Sequence, residues 1–225
     1  MIKDLQDLLM HLIQNLNAAE EHMSEALPAI IEKVHHSSLK NALNHHLNLT
    51  AEQKKRLEQI AQMLQQKRTE ESLKLNPGHI CKGMMGLIEE TNDILETGLE
   101  KEVTDAAIIT CVQKMEHYEI CTYGTALAYA KQLHLVKAEE LLNETLNEEY
   151  EADDLLTTLA MASLNKEAVP QDIENVDQSD SQESSEDESS ESKSQVHITE
   201  RTINSPGGRA GTSHRRYGSG ESRGH

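Results

Sequence analysis

A chain of 225 residues with a formal net charge of −18, no tryptophan and no phenylalanine must build its core from aliphatic side chains. Leucine, alanine and methionine suit helix-on-helix packing, and the β-branched and aromatic runs that mark strands are missing. So large an acid excess argues against nucleic acid as a partner, and no apolar stretch is long enough to span a membrane.

Four stretches have the apolar spacing of long helices, and each breaks that spacing with a polar residue in step. The first, residues 2–35, carries a stripe of Leu9, Ile13, Leu16, Met23, Leu27, Ile30 and Val34, with Glu20 on the same face. Pro28 lies inside it and is expected to kink or break it. His35, His36 and Ser37 turn the chain, and Ser37 or Ser38 is the expected N-cap of the second helix. That helix, residues 39–66, aligns Leu39, Leu43, Leu57, Ile60 and Leu64 with His46 and Gln53. A polar connection with Asn76, Pro77 and Gly78 leads to a short helix over 80–96, with Gly98 as its C-terminal stop. Thr104 is the expected cap of the third long helix, which runs to 133 and aligns Ile109, Val112, Tyr123 and Leu127 with Glu116 and Glu119. His134 marks a tight turn. The fourth helix, to about 163, aligns Leu142, Leu146, Leu156 and Leu159 with Glu149 and Asp153.

The connections read short, long, short. Two tight helical hairpins joined by one long crossover make the ferritin-like four-helix bundle, an all-α fold. Residues 1–165 form that bundle. Residues 166–225, acidic and Ser-rich and then Arg- and Gly-containing, hold too few apolar side chains to order a core, and a disordered tail is expected. Cys81, Cys111 and Cys121 form no CxxC pair, and all three read as reduced core thiols of a cytoplasmic protein. The N-terminal segment lacks the pattern of a signal peptide.

Hairpin arithmetic places the polar positions together. Glu119 and Glu149 lie equally far from His134, and Glu116 and Asp153 about one turn further. Glu20 lies opposite Gln53. His46 falls about 10 Å nearer its turn and fits least well. A buried ionised carboxylate is costly unless it is paired or binds metal, and inward acids from several helices are how di-metal sites are built in such bundles. Glu20, His46, Glu116, Glu119, Glu149 and Asp153 are the ligand candidates, with Glu119 and Glu149 as the bridging pair. Carboxylates and imidazole suit iron, and carboxylates also suit manganese. The alternative is a metal-free hydrogen-bonded network involving Lys, Arg56, Tyr123 and His117, in a dimeric helical interaction module whose tail contacts partners.

Local strings add a resemblance. Ala19-Glu20 with Ala26-Leu27-Pro28, the spacing of His46, Thr50, Gln53 and Arg56-Leu57, and Cys81-Lys82 with Met85-Gly86-Leu87-Ile88-Glu89-Glu90 are similar to the YciE/YciF family of ferritin-like proteins. Asp105-Ala106-Ala107, Glu116-His117-Tyr118-Glu119-Ile120 and Tyr123-Gly124 match its third helix, and Glu144, Leu146, Glu148-Glu149 and Asp153 its fourth. The resemblance implies a di-iron ferroxidase-type or stress-response protein, active on Fe²⁺ with O2 or peroxide, and a homodimer. The chain departs from that pattern at Asn48 and Leu49, where the family usually has acidic residues.

Overall fold

The first helix begins on a local cap. Asp4 takes extended backbone and its carboxylate accepts the Asp7 amide at 2.9 Å, which satisfies one of the free donors at a helix start. In the computed structural model, which describes residues 2–66, 75–76 and 78–170, this helix is α1, Leu5–Lys33. It runs through Pro28 without a break. Proline removes one helical hydrogen bond, but Leu27, Ile30 and Ile31 around it are buried, and their packing outweighs that loss. The others are α2 Ser37–Gln66, α3 Lys82–Leu95, α4 Lys101–Gln132 and α5 Val136–Leu159. A π-helical stretch, Ala160–Leu164, and a final turn, α6 Asn165–Glu167, extend α5. The expected tail beyond residue 170 lies outside the described residues.

The fold is the all-helical bundle that the spacing predicts. α1 packs on α2 and α4, and α5 on α2 and α4, while the crossover helix α3 lies against α4 and α1. His134 takes a left-handed conformation, φ 54°. The Leu135 amide reaches back to the Ala130 carbonyl at 3.0 Å, and the His134 amide to Lys131 at 3.1 Å. This pair of bonds closes α4 in a Schellman turn and sends α5 back antiparallel.

Several details differ from expectation. α4 starts three residues before Thr104, whose hydroxyl instead bonds the Glu100 carbonyl at 2.9 Å. Cys121 is exposed, because it falls on an outward face, whereas Cys81 and Cys111 are buried. Ser37 is the first residue of α2 and not its cap. The donors at that turn are taken by Asp105 of α4, a buried carboxylate whose two oxygens accept the His35 and His36 amides, each at 2.9 Å. One acid thus closes the α1–α2 turn and, by its charge, suits the positive end of α2.

Bonds to a charged acceptor contribute about 1.5–3 kcal/mol each. Asp105→Ala should therefore lower unfolding free energy by roughly 3 kcal/mol, read as a shift of the urea midpoint with an unchanged slope.

Candidate metal centre

The buried stripes bring one polar layer into the middle of the bundle. Glu20 of α1, His46, Thr50 and Gln53 of α2, Glu116, Glu119 and Tyr123 of α4, and Thr145 and Glu149 of α5 are all buried. Apolar clusters flank this layer. Ala19, Met23, Leu27, Leu39, Leu43, Ile109 and Val112 belong to the cluster nearer the α1–α2 turn. Leu9, Ile13, Leu16, Leu57, Ile60, Leu127 and Leu142 belong to the other. Along every long helix the apolar face changes cluster at the polar residue, so the layer is enclosed from both ends.

Four of the six candidate residues converge. His46, Glu116, Glu119 and Glu149 each offer one ligand-type atom within 4.8 Å of those of the other three. Glu20 adjoins them: its Oε1 accepts from the Tyr123 hydroxyl at 2.5 Å, and its charge acts on Glu116 and Glu119. Asp153 is not in the group. It is half-buried at the edge, where it accepts from the Gln113 amide at 3.0 Å and lies 3.4 Å from His117 Nδ1. His117 itself is largely exposed.

The least expected member is His46. Its Nε2 lies 3.5 Å from Glu116 Oε1 and 3.3 Å from Met23 Sδ. The hairpin count treats the site as one level. In the structure it spans about two helical turns, with His46 facing Glu116 at one end and Gln53 facing Glu149 at the other. Long carboxylate side chains close the axial gap that residue counting leaves open.

Protein donors reach only part of this layer. Gln53 donates its amide to Glu149 Oε1 at 2.6 Å and to Glu148 at 3.2 Å. Arg56 pins Glu148 with both guanidinium nitrogens, at 2.6 and 2.8 Å, and also reaches Glu144 and Thr145. That clamp ties α2 to α5 beside the site. Inside it, both oxygens of Glu116 and of Glu119, Oε2 of Glu149, Oε2 of Glu20 and Nδ1 of His46 have no partner among the described residues. Buried polar atoms are rarely left so, and a cluster of them is what a cation would satisfy.

Electrostatics point the same way. Burial, reinforced by Glu149 and the neighbouring acids, pushes Glu20 and Glu116 well above the usual carboxylate range, and burial with Glu20 and Glu149 does the same to Glu119. Burial raises Glu149 to about 7. Burial and then His45 lower His46 to about 4, so its 3.5 Å contact with Glu116 is no ion pair at neutral pH. The imidazole is neutral there and its lone pair is free for a metal. Tyr123 is held protonated by burial and by Glu20, and so remains a donor. Without metal this layer keeps protons; a divalent cation would displace them.

Sequence spacing brought Gln53 into step without assigning it a task, and Met23 read only as part of the apolar stripe. Neither the Glu149 bond nor the sulfur contact has a local signal, since both cross between helices.

The pH dependence follows from these shifts. A buried acid with a raised pKa favours the folded state below its ordinary value of about 4.5, and that stability is lost as pH rises through the folded pKa. His46 acts oppositely, because its lowered pKa makes stability rise with pH up to about 6.5. Above that only the acids count. Metal-free protein should therefore melt about 5 °C lower at pH 8.5 than at pH 6.5, followed by circular dichroism with a chelator present.

Comparison with known proteins shows the family and accords with the helical fold. The family described as "Domain of unknown function (DUF892)" matches residues 4–169. Protein YciF of Escherichia coli K12 is 38% identical over 167 residues, covering 74% of this chain and 96% of that protein. The crystal structure of the E. coli stress protein YciF superposes with a TM-score of 0.66, over 73% of this chain and 99% of the other. YcfI from Rhodopseudomonas palustris, provisionally described as a structural protein, is 34% identical with a TM-score of 0.64, over 70% of this chain and 95% of the other. A Xanthomonas campestris protein at 16% identity, covering 74% of this chain and all of its own, shares the fold with a TM-score of 0.52. The chain belongs to the DUF892 family, the family of the stress protein YciF.

Proposed function

We propose that the polar layer is a di-metal carboxylate centre, di-iron in the first instance and di-manganese in the second, that serves oxidation of Fe²⁺ or removal of peroxide under stress. One observation carries the reading. Four buried ligand-type side chains converge within 4.8 Å, and most of their oxygens lack any protein donor. His46, Glu116, Glu119 and Glu149 would hold the first ion, and Glu20 would join Glu119 and Glu149 around the second. Hard carboxylate oxygens with one imidazole are the donor set for Fe²⁺ and Mn²⁺. Bound iron would supply one-electron chemistry, with O2 or peroxide as the electron acceptor.

The chain's own residues do the rest. Glu116 and Glu149 bring carboxyl oxygens within 4.8 Å of each other, and both release protons when a cation takes their oxygens. Tyr123 orients Glu20 through its hydroxyl. Gln53 holds Glu149 by one oxygen and leaves the other free. The apolar clusters on both sides exclude water. The stress description of the E. coli relative supports a protective role. The metal-free interaction module is the competing reading, and it is favoured by the bonds that Gln53 and Tyr123 already make.

Anaerobic loading with Fe²⁺ or Mn²⁺ followed by elemental analysis should give about two ions per chain. Loaded protein should also melt higher, since a ligand of the native state stabilises it. Glu119→Gln removes a charged oxygen from the centre and should abolish most of that metal-induced rise while leaving the metal-free melting temperature equal or higher. No bound metal, or the same rise in both proteins, contradicts the reading. Consumption of O2 or peroxide during Fe²⁺ addition, lost in Glu119→Gln, tests the chemistry itself.

A further inference from the structure

The centre is not sealed on every side. A cavity of about 270 Å3 lies between α2 and α5 and ends on His46 and Glu116. Its walls are apolar: Leu43, Leu49, Ala152, Leu155 and Leu156 are the main contributors. Polar groups sit at two places only. His45, Glu148 and Glu151 stand at the rim, where His45 and Glu151 are exposed, and Glu116 and His46 form the buried floor.

Three features define what would fit. The volume is well above the roughly 150 Å3 of an apolar cavity that takes up benzene, so there is room for two fused rings or a medium alkyl chain. O2 or hydrogen peroxide alone would leave most of it unfilled. The walls offer dispersion contacts and almost no hydrogen bonds, which selects an apolar body. At the floor, both Glu116 oxygens lack a donor although the residue is fully buried, so an O–H group on the ligand would satisfy one of them. Charge excludes the anionic alternative. Glu151 at the mouth repels a carboxylate or sulfonate, enclosing such an anion between apolar walls is costly, and the nearby guanidinium of Arg56 is already committed to Glu148.

We propose that this cavity is the binding site for a small neutral organic molecule with an apolar body and a hydroxyl-type head, seated with its head on Glu116 beside the metal centre. As the substrate subsite of that centre, the proposal rests on the metal reading above. The cavity itself can be tested apart from it. Leu49 is central to the site's character. It shares the α2 face of His46 and Gln53, and it puts an isobutyl group on the wall where a carboxylate would have made the cavity polar.

The chain has no tryptophan, so the fluorescence of 2-naphthol can be followed without overlap from indole. Titration of the full-length chain, metal-free and metal-loaded, should give saturable binding of one 2-naphthol per chain. The anion 2-naphthoate should bind at least tenfold more weakly. Ala152→Phe and Leu49→Phe each fill the cavity from a different helix and should weaken 2-naphthol binding at least tenfold, with helicity and metal content measured on the same samples. Two variants guard against one that fails to fold. No saturable binding to the wild-type chain overturns the proposal, as does equal binding to folded filled variants or a preference for the anion. Metal uptake without 2-naphthol binding removes the cavity and leaves the metal centre standing. Binding of 2-naphthol by a chain that takes up no metal removes the metal centre and with it the subsite role.

Discussion

Carboxyl groups enclosed by aliphatic side chains are the constraint on which the rest of this structure depends. An ionised carboxylate cannot be placed in a low-dielectric core without a partner. Here Glu20, Glu116, Glu119 and Glu149 occupy one layer, and none has a Lys or Arg side chain on its oxygens among the described residues. The bundle solves this by holding protons in the layer, with raised acids and a neutral His46. That solution makes the same groups responsive to any divalent cation small enough to enter. The side chains that set the stability of this layer are thus the same ones that could hold a metal ion.

The architecture around the layer follows from the need to keep it fixed and dry. Apolar clusters close it along the bundle axis, and the Arg56–Glu148 clamp holds α2 to α5 beside it. Tyr123 and Gln53 each take one oxygen and so orient Glu20 and Glu149 without saturating them. Asp105 performs a separate task at the far end, tying the α1–α2 turn to the start of α4. That contact sets the register of the first hairpin against the second, on which the meeting of His46 with Glu116 depends. A carboxylate at a turn is cheap to bury because backbone amides satisfy it, whereas the layer acids have no such donors. The contrast separates an acid whose oxygens the backbone satisfies from acids whose oxygens are largely left without donors among the described residues.

Access to the layer is uneven. Toward α2 and α5 the wall thins into an apolar cavity that reaches His46 and Glu116. Elsewhere, packed leucine, isoleucine and methionine cover it. The lining of this cavity, mostly leucine and alanine, favours an apolar occupant over an ion.

The amino-acid sequence alone determined the helices, the two hairpins and the identity of the inward acids, because a period of 3.6 residues reports which side chains share a face. Glu20, Glu116, Glu119 and Glu149 are legible in this way, since each interrupts an otherwise apolar stripe on its own helix. Only the tertiary structure decided which of them meet. Counting from the turns places residues along an axis but says nothing of side-chain reach or of how far one helix slides past the next. Residue counting puts His46 a turn or two from the acids and Asp153 near them, whereas packing turns His46 onto Glu116 and sets Asp153 against Gln113 and His117. The Asp105 cap, the Gln53 amide on Glu149 and the cavity beside Leu49 lay beyond reach for the same reason. Each is made by residues from different helices, and its geometry exists only once those helices have packed.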